Sequence, residues 1–164
     1  MVGTCLRSKT SMNQTKLIKS LSNKHPAIAF QPASSYCWSP KEQTVYYQEK
    51  DASEVGLWTL LHEVSHGLLN HTTYQSDFEL VLLEMKAWQE AERLAKNSVI
   101  TIDPDHIQDC LDSYRDWQYK RSLCPTCGLG GVQIDQKTYH CLFCSGKWHV
   151  SEARFCRPYR KKVV

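Results

Sequence analysis

The five residues from His62 to His66 read H-E-V-S-H, and this stretch constrains the chain more than any other. Two histidines four positions apart lie on one face of an α-helix, because one turn takes 3.6 residues. Their imidazoles can then share a zinc ion, and Glu63 between them can accept a proton from water. The motif therefore predicts a helix and, on it, a metal-dependent hydrolytic centre.

The flanking residues support that helix. Residues 51–54 read D-A-S-E, an N-terminal cap followed by an acidic residue, which the helix dipole favours. Residues 55–70 contain no proline, and at 100° per residue His62 and His66 fall opposite a broad apolar stripe. That stripe consists of Leu57, Leu60, Leu61, Val64 and Leu68. We therefore predict a helix over residues 55–70 whose histidines are set apart from its core face. Two solvent-facing histidines without a metal are the alternative.

A catalytic zinc needs a third protein ligand and one open position. The Met-turn proteases would require glycine at 69 and histidine at 72, where this chain has leucine and threonine, so that class is excluded. A second helix is predicted over residues 77–96, and Glu84 falls within its apolar stripe. Because a buried carboxylate without a partner is costly, Glu84 is the preferred third ligand. A buried ion pair of Glu84 is the alternative, and Glu92 and His71 stay open as ligands.

This ligand set suggests a reaction. With His62, His66 and Glu84 holding zinc, Glu63 would take a proton from water and pass it to the leaving amine. Tyr74 and His71, just past the helix, are candidate donors to the substrate carbonyl.

Residues 43–48 are rich in strand formers and follow a turn signal, S-P-K-E, at residues 39–42. They predict either an edge strand that pairs with an extended peptide or a plain structural strand.

Four cysteines define a second centre. Cys124 and Cys127 form one C-x-x-C pair, Cys141 and Cys144 form another, and thirteen residues separate the two pairs. With a short hairpin predicted from residues 132–134 and 137–140, this spacing is typical of a zinc ribbon. Two disulfides are the alternative, and His149 is a substitute ligand.

The cellular compartment decides whether the four ribbon cysteines bind metal or form disulfides. Residues 1–20 carry scattered charges and no apolar core of a secretory signal, and no apolar run approaches a membrane span. We therefore expect a cytoplasmic protein with reduced thiols, in which paired C-x-x-C motifs bind metal. The four other cysteines, which we expect to be ordinary thiols, are Cys5, Cys37, Cys110 and Cys156.

A length of 164 residues suits one compact domain plus a small module. We predict a basic lead-in over residues 1–33, with one short helix near 15–22. A mostly helical zincin-type domain with a short antiparallel sheet follows over 34–121 and includes a third helix from about 105 to 121. The ribbon and a basic tail take residues 122–164. The predicted fold class is α+β.

Charge is spread unevenly along the chain. The net charge is only +3, yet residues 115–164 hold ten Lys or Arg against three Asp or Glu. The tail interleaves cations with aromatic residues, a composition suited to phosphate contact and base stacking. The candidate nucleic-acid contacts are Arg154, Arg157, Arg160, Lys161 and Lys162. A solvated basic terminus is the alternative.

The stretch from His62 to His71, together with a second helix bearing Glu84, Ala87, Trp88 and Ala91, resembles the ImmA/IrrE metallopeptidase family. The resemblance covers roughly residues 36–96, and H-E-x-x-H is its sharply specific part. It implies a small zincin that cleaves a partner repressor protein, with His62, His66 and Glu84 as ligands and Glu63 as the catalytic residue. The family typically shows Glu-Ala where this chain has Lys86-Ala87, and often carries a DNA-binding helix-turn-helix where this chain has a ribbon.

The ribbon behind H-E-x-x-H also resembles the SprT-type proteases, which act on DNA-bound proteins and take a third histidine beyond the motif. Only His71 and His106 are available for that role here. A third possibility is a zinc-stabilised regulator that binds nucleic acid or protein without turnover. The expectation from sequence is thus a zinc metallopeptidase with two zinc ions per chain, one catalytic and one structural. Manganese or iron could replace the catalytic zinc.

Overall fold

A computed structural model describes residues 13–152 and 159–163. They form a mixed α+β protein, as predicted. The helices are α1 (Gln14–Lys24), α2 (Glu54–Leu68), α3 (Asp77–Asn97) and α4 (Pro104–Ser122). The strands are β1 (Ala29–Pro32), β2 (Cys37–Ser39), β3 (Thr44–Tyr47), β4 (Val132–Gln133), β5 (Thr138–His140), β6 (Lys147–Val150) and β7 (Arg160–Val163). Within these residues we find no helix whose length and apolar content would let it span a membrane.

The chain divides into two compact units. Of the described residues, unit 1 comprises 13–70 and 90–101, and unit 2 comprises 71–89, 102–152 and 159–163. The helix α3 is continuous and contributes residues to both units. The segment boundaries predicted from sequence, after residues 33 and 121, stay a prediction.

Unit 1 holds a three-stranded sheet in the order β1-β3-β2. The strand β2 runs antiparallel to β3, as expected for the predicted antiparallel sheet, but β1 joins the other side of β3 in parallel. The predicted antiparallel pairing is present, and β1 adds a parallel strand that the sequence did not predict. β1 lies inside the segment that sequence treated as a polar lead-in, and its four residues show no clear apolar alternation.

The strand β3 is central, so of the two alternatives for residues 43–48 the plain structural strand describes it and the peptide-binding edge strand does not. Thr44 and Val45 are buried, with 3% and 0% of their surface exposed. Composition predicts that a segment is a strand, but strand order depends on which neighbours pair with it. The edges of this sheet are β1 and β2.

The motif helix α2 begins where the cap signal placed it. The Ser53 side chain accepts a hydrogen bond from the Gly56 amide over 3.0 Å, which satisfies one of the free donors of the first turn. The helix ends at Leu68, two residues before the predicted end, because Asn70 adopts a left-handed conformation with φ of 54°. The core face of α2 is buried at Leu60, Leu61 and Val64, and α2 contacts α1 and β3, which contribute the buried residues Leu17, Leu21 and Val45.

In unit 2, α4 matches its prediction within one residue at each end, and Ile107, Leu111 and Trp117 form its buried stripe. A four-stranded antiparallel sheet in the order β4-β5-β6-β7 follows. The hairpin of β4 and β5 was predicted, whereas β6 and β7 were not. Tyr139 of β5 stacks on the fully buried Trp148 of β6, with ring centroids 5.6 Å apart.

A buried ion pair stabilises unit 2. Asp77, at the start of α3, is fully buried, and its carboxylate accepts two hydrogen bonds from Arg121 near the end of α4. The Tyr139 hydroxyl donates a third, over 2.7 Å. Arg121 also stacks on Trp117, 4.3 Å from the ring centroid. Because both charges are buried and satisfied, the pair fixes α3, α4 and β5 relative to one another within this unit.

Candidate metal centres

The helix α2 brings His62 and His66 together as the motif predicts. Their Nε2 atoms are 3.1 Å apart, and the two rings are nearly perpendicular. His62 is 6% exposed and His66 is half-buried, so the alternative of two solvent-facing histidines does not describe this helix.

Glu84 of α3 joins the two histidines. One ligand atom from each of the three side chains lies within 4.8 Å of the other two. The Glu84 carboxylate is 5% exposed, which agrees with its predicted place in the apolar stripe. Within the described residues, neither Glu92 nor His71 belongs to a group that could hold a metal ion.

The distance between the imidazoles fits a tetrahedral zinc. Two nitrogen ligands at about 2.0–2.1 Å from a tetrahedral ion lie roughly 3.3–3.4 Å apart. The observed 3.1 Å between the Nε2 atoms of His62 and His66 needs only a small adjustment to reach that value. Two imidazoles and one carboxylate are also a donor set that leaves one coordination position open. The residues present therefore fit a catalytic type of metal site.

Glu63, the proposed base, has a defined main-chain partner. The backbone N–H of Trp38 in β2 donates a hydrogen bond to Glu63 Oε2 over 2.8 Å. The Trp38 ring lies against Gly67 of α2, where an added Cβ would come within 3.1–3.2 Å of the ring carbons. Glycine at 67 thus permits the close approach of α2 and β2 that makes the hydrogen bond possible.

Glu63 also affects the ionisation of Cys37, the residue before Trp38. Partial burial of Cys37 and then the negative charge of Glu63 raise the pKa of the Cys37 thiol above its ordinary value. Cys37 is exposed and forms no disulfide, as expected for one of the isolated cysteines. Cys110 is likewise a free thiol, 3.6 Å from His106 Nε2, whereas Cys5 and Cys156 lie outside the described residues.

The four ribbon cysteines converge in unit 2. The Sγ atoms of Cys124 and Cys144 are 3.6 Å apart, and so are those of Cys127 and Cys141. The two sulfurs of a disulfide are about 2.05 Å apart. Two sulfurs that each bind one tetrahedral zinc at about 2.3 Å are roughly 3.8 Å from each other. All four are free thiols. The cluster therefore has the spacing of a metal site and not of two disulfides.

The turns of the two C-x-x-C motifs explain how this spacing is reached. Gly128 and Ser145, each following the second cysteine of its pair, both adopt positive φ, of 76° and 56°. The Gly128 amide donates to the Cys124 carbonyl over 2.9 Å, which closes the first turn. A small residue after each pair thus allows the tight turn that brings its two cysteines to the cluster.

The thiols compete for protons. Burial of Cys124 opposes its ionisation, but the amides of Cys127 and Thr126 and the neighbouring thiols lower its pKa to about 6. At Cys127 the Leu129 amide favours the thiolate, yet burial and the adjacent thiols outweigh it and raise the pKa to about 12. Four sulfurs this close cannot all carry charge alone, so a divalent cation is the natural counter-ion.

The other candidate residues from the sequence do not belong to either metal group among the described residues. His149 Nδ1 lies 3.0 Å from the Thr138 hydroxyl, and the His106 ring packs edge-on against Trp88 at 5.6 Å; neither joins a metal group within the described residues. The roles suggested for Tyr74 and His71 as donors to a substrate carbonyl stay predictions.

The basic tail is only partly described. Arg154 and Arg157 lie outside the described residues. Arg160 begins β7, and its Nη1 donates to the Leu123 carbonyl over 2.7 Å, which anchors the strand. Lys161 and Lys162 follow in β7 and are exposed. Their role in binding nucleic acid stays a prediction.

Two contacts were not predicted from the sequence: the hydrogen bond from Trp38 to Glu63 and the ion pair of Asp77 with Arg121. The Trp38 amide carries no signal in the sequence, because every residue except proline has an N–H. Asp77 and Arg121 resemble ordinary surface charges of helix ends, and only their burial marks them. β6 had a usable signal, since Trp148 and Val150 alternate with polar residues in the period of a strand.

Comparisons with known proteins name no relative. No protein-family model, no curated protein and no solved structure matches the chain. The geometry of the two candidate metal centres therefore carries the functional argument by itself.

Proposed function

We propose that this protein is a zinc-dependent metallopeptidase, with His62, His66 and Glu84 as the metal ligands and Glu63 as the general base. One observation carries the proposal: three ligand atoms lie within 4.8 Å of one another, and Glu63 sits between the two histidines in the chain. The likeness to the ImmA/IrrE family agrees with this assignment and remains part of the proposal. The substrate would be a protein or peptide.

A bound zinc ion would lower the pKa of a water molecule and polarise the carbonyl of the scissile bond. The protein supplies the proton transfer. Glu63 would accept a proton from the attacking water as the C–O bond forms, and would then deliver that proton to the amine nitrogen as the peptide C–N bond breaks. The Trp38 amide holds Oε2 and so limits rotation of the carboxylate.

The arrangement of the three ligands suits hydrolysis better than purely structural binding. Structural zinc sites are usually closed by four protein ligands, as the cysteine cluster can be. The His62, His66 and Glu84 group offers three ligands, and an unfilled position is what a reacting water requires. The ribbon cysteines would hold the second, structural zinc.

Cleavage of a defined peptide mixture tests the proposal. The zinc-loaded full-length protein and its Glu63→Gln variant are incubated with a proteome-derived peptide library, and new termini are identified by mass spectrometry. We expect cleavages by the wild type that are lost in Glu63→Gln, while zinc content stays equal. The same cleavages by both proteins, or none by either, would reject the peptidase.

A further inference from the structure

The ribbon sheet has two unlike faces. Strand pairing places Tyr139, Trp148 and Lys162 in one cross-strand row, whose tyrosine and tryptophan are buried. Because side chains alternate along each strand, the residues between them point to the opposite side. We call that side the outer ribbon face. Its two rows are Val132, His140, Lys147 and Val163, and Ile134, Thr138, His149 and Lys161.

The strand residues that form the outer ribbon face include no acidic residue, and the Asp135 carboxylate reaches Thr138 and His149 at one end of it. Lys147, His149 and Lys161 are exposed on it, and so are the aliphatic side chains of Val132, Ile134 and Val163, each 41–52% exposed. Lys147 and Lys161 lie on neighbouring strands two positions apart in register. Diagonal neighbours of this kind have their Cα atoms about 7–8 Å apart, so both ammonium groups can reach one extended partner.

Each of the three acidic residues of this region has a partner of its own, and Asp135 interacts with Thr138 and His149. Residues 115–164 hold three of them, Asp116, Asp135 and Glu152. Asp116 pairs with Lys120 at 3.8 Å, and Glu152 pairs with Lys137 at 2.6 Å. Asp135 sits in the turn of the β4–β5 hairpin and accepts the Lys137 amide over 2.9 Å. Within the described residues no ion pair involves Lys147 or Lys161.

We infer that the outer ribbon face binds the phosphate backbone of nucleic acid, with Lys147 and Lys161 as the principal contacts. Charge complementarity supports this partner, because Lys147 and Lys161 are both exposed on this face and residues 115–164 hold ten cations against three acidic residues. The exposed aliphatic side chains offer sugar and base surfaces a contact that a purely solvated basic face would not provide. The inference is independent of the proposed peptidase activity.

The assignment refines the role of the tail. Of the three described cations of the tail, Lys161 is the one whose side chain lies on the outer ribbon face. Lys162 is its neighbour in the chain but shares the opposite face with Trp148, and Arg160 is bonded to the Leu123 carbonyl. The chain therefore contains a matched pair of lysines that differ in face and not in charge.

The test is binding of a fluorescein-labelled 20-nucleotide single strand to the zinc-loaded full-length protein, followed by anisotropy at several salt concentrations. We compare Lys161→Glu with Lys162→Glu, and add the double variant Lys147→Glu/Lys161→Glu. We expect the double variant to bind about tenfold more weakly at low salt, and the slope of log affinity against log salt to fall by about 2. Lys162→Glu should bind nearly as the wild type does.

Three results would each overturn the inference. One is that the wild type does not bind the strand, another is that Lys161→Glu and Lys162→Glu lose equal affinity, and the third is that the salt slope of the double variant equals that of the wild type. Equal affinity for polyglutamate of the same charge would point to an acidic protein instead and would also reject the nucleic-acid partner. Zinc content and circular dichroism of each variant show that the ribbon is intact.

Discussion

The backbone N–H of Trp38 donates a hydrogen bond to Oε2 of Glu63 over 2.8 Å. An edge strand of the sheet in unit 1 thus supports the carboxylate between the two motif histidines. The outward amide of such a strand is often available to a peptide that adds to the sheet. Here Glu63 already occupies it, so peptide pairing at Trp38 would require Glu63 to move.

Proline at position 38 tests that support, because proline lacks the N–H and is tolerated on edge strands. If Trp38 positions Glu63, Trp38→Pro should lower kcat by about tenfold or more with little change in zinc content. Trp38→Ala is the matched control, since it removes the ring but keeps the amide. Equal kcat values in the two variants would show that the hydrogen bond does not assist catalysis.

Zinc content separates the two metal centres. His62→Ala should lose one zinc per chain and retain the other, whereas Cys124→Ser should lose only the ribbon zinc, because the two ligand groups share no residue. Elemental analysis after exhaustive dialysis provides the count. A single zinc in the wild type, lost only in Cys124→Ser, would leave the H-E-x-x-H group without metal and contradict the proposed chemistry.

The third ligand can be assigned by comparing two glutamates of α3. Glu84 lies with the histidines, while Glu92, two turns later, does not belong to the group. We expect Glu84→Ala to weaken zinc binding at the histidine centre by at least about tenfold. Glu92→Ala should leave it unchanged, as competition with a zinc chelator will show. The reverse result would move the ligand to Glu92.

Removal of Asp77 should strongly destabilise unit 2. Asp77→Ala leaves the buried guanidinium of Arg121 without its carboxylate, and breaking a buried pair in this way costs about 3–5 kcal/mol. Urea unfolding of the zinc-loaded protein measures the change. Asp112→Ala removes the partner of the exposed Arg115 and should have little effect. Similar losses in both variants would argue against a special role for the buried pair.

Tyr36 should make stability depend on alkaline pH. Burial, followed by its hydrogen bond to Asp51 and the charge of that residue, raises the Tyr36 pKa to about 12. An unfolded tyrosine titrates near pH ~10, so the folded protein holds this proton more tightly. The resulting contribution is complete below pH ~10 and is lost as the pH rises through the folded pKa of about 12.

The free energy of unfolding should therefore fall more steeply between pH 10 and 12 in the wild type than in Tyr36→Phe, which has no hydroxyl to ionise. Urea unfolding at fixed zinc concentration across this range makes the comparison. Parallel curves for the two proteins would show that Tyr36 is not linked to folding.

Patterns of residues a few positions apart were enough to predict three helices, the cysteine cluster and the burial of Glu84. The helical period placed α2, α3 and α4 within about two residues of their ends, and the C-x-x-C spacing identified the cysteine cluster that the structure assembles. Glu84 was also found from sequence, because a carboxylate inside an apolar stripe conflicts with its surroundings unless it has a partner. In each case the signal is carried by residues a few positions apart.

What sequence missed depends on contacts between distant segments. The central position of β3, the parallel pairing of β1 and the addition of β7 follow from strand pairing, which a strand's own residues do not encode.

The sequence by itself determined the helices, the ligand types and their local spacing, because backbone geometry repeats over a few residues. Tertiary structure alone decided that Trp38 holds Glu63, that Asp77 meets Arg121, and that Lys161 and Lys162 lie on opposite faces of one sheet. These relationships depend on packing between distant segments, where burial and pairing act together.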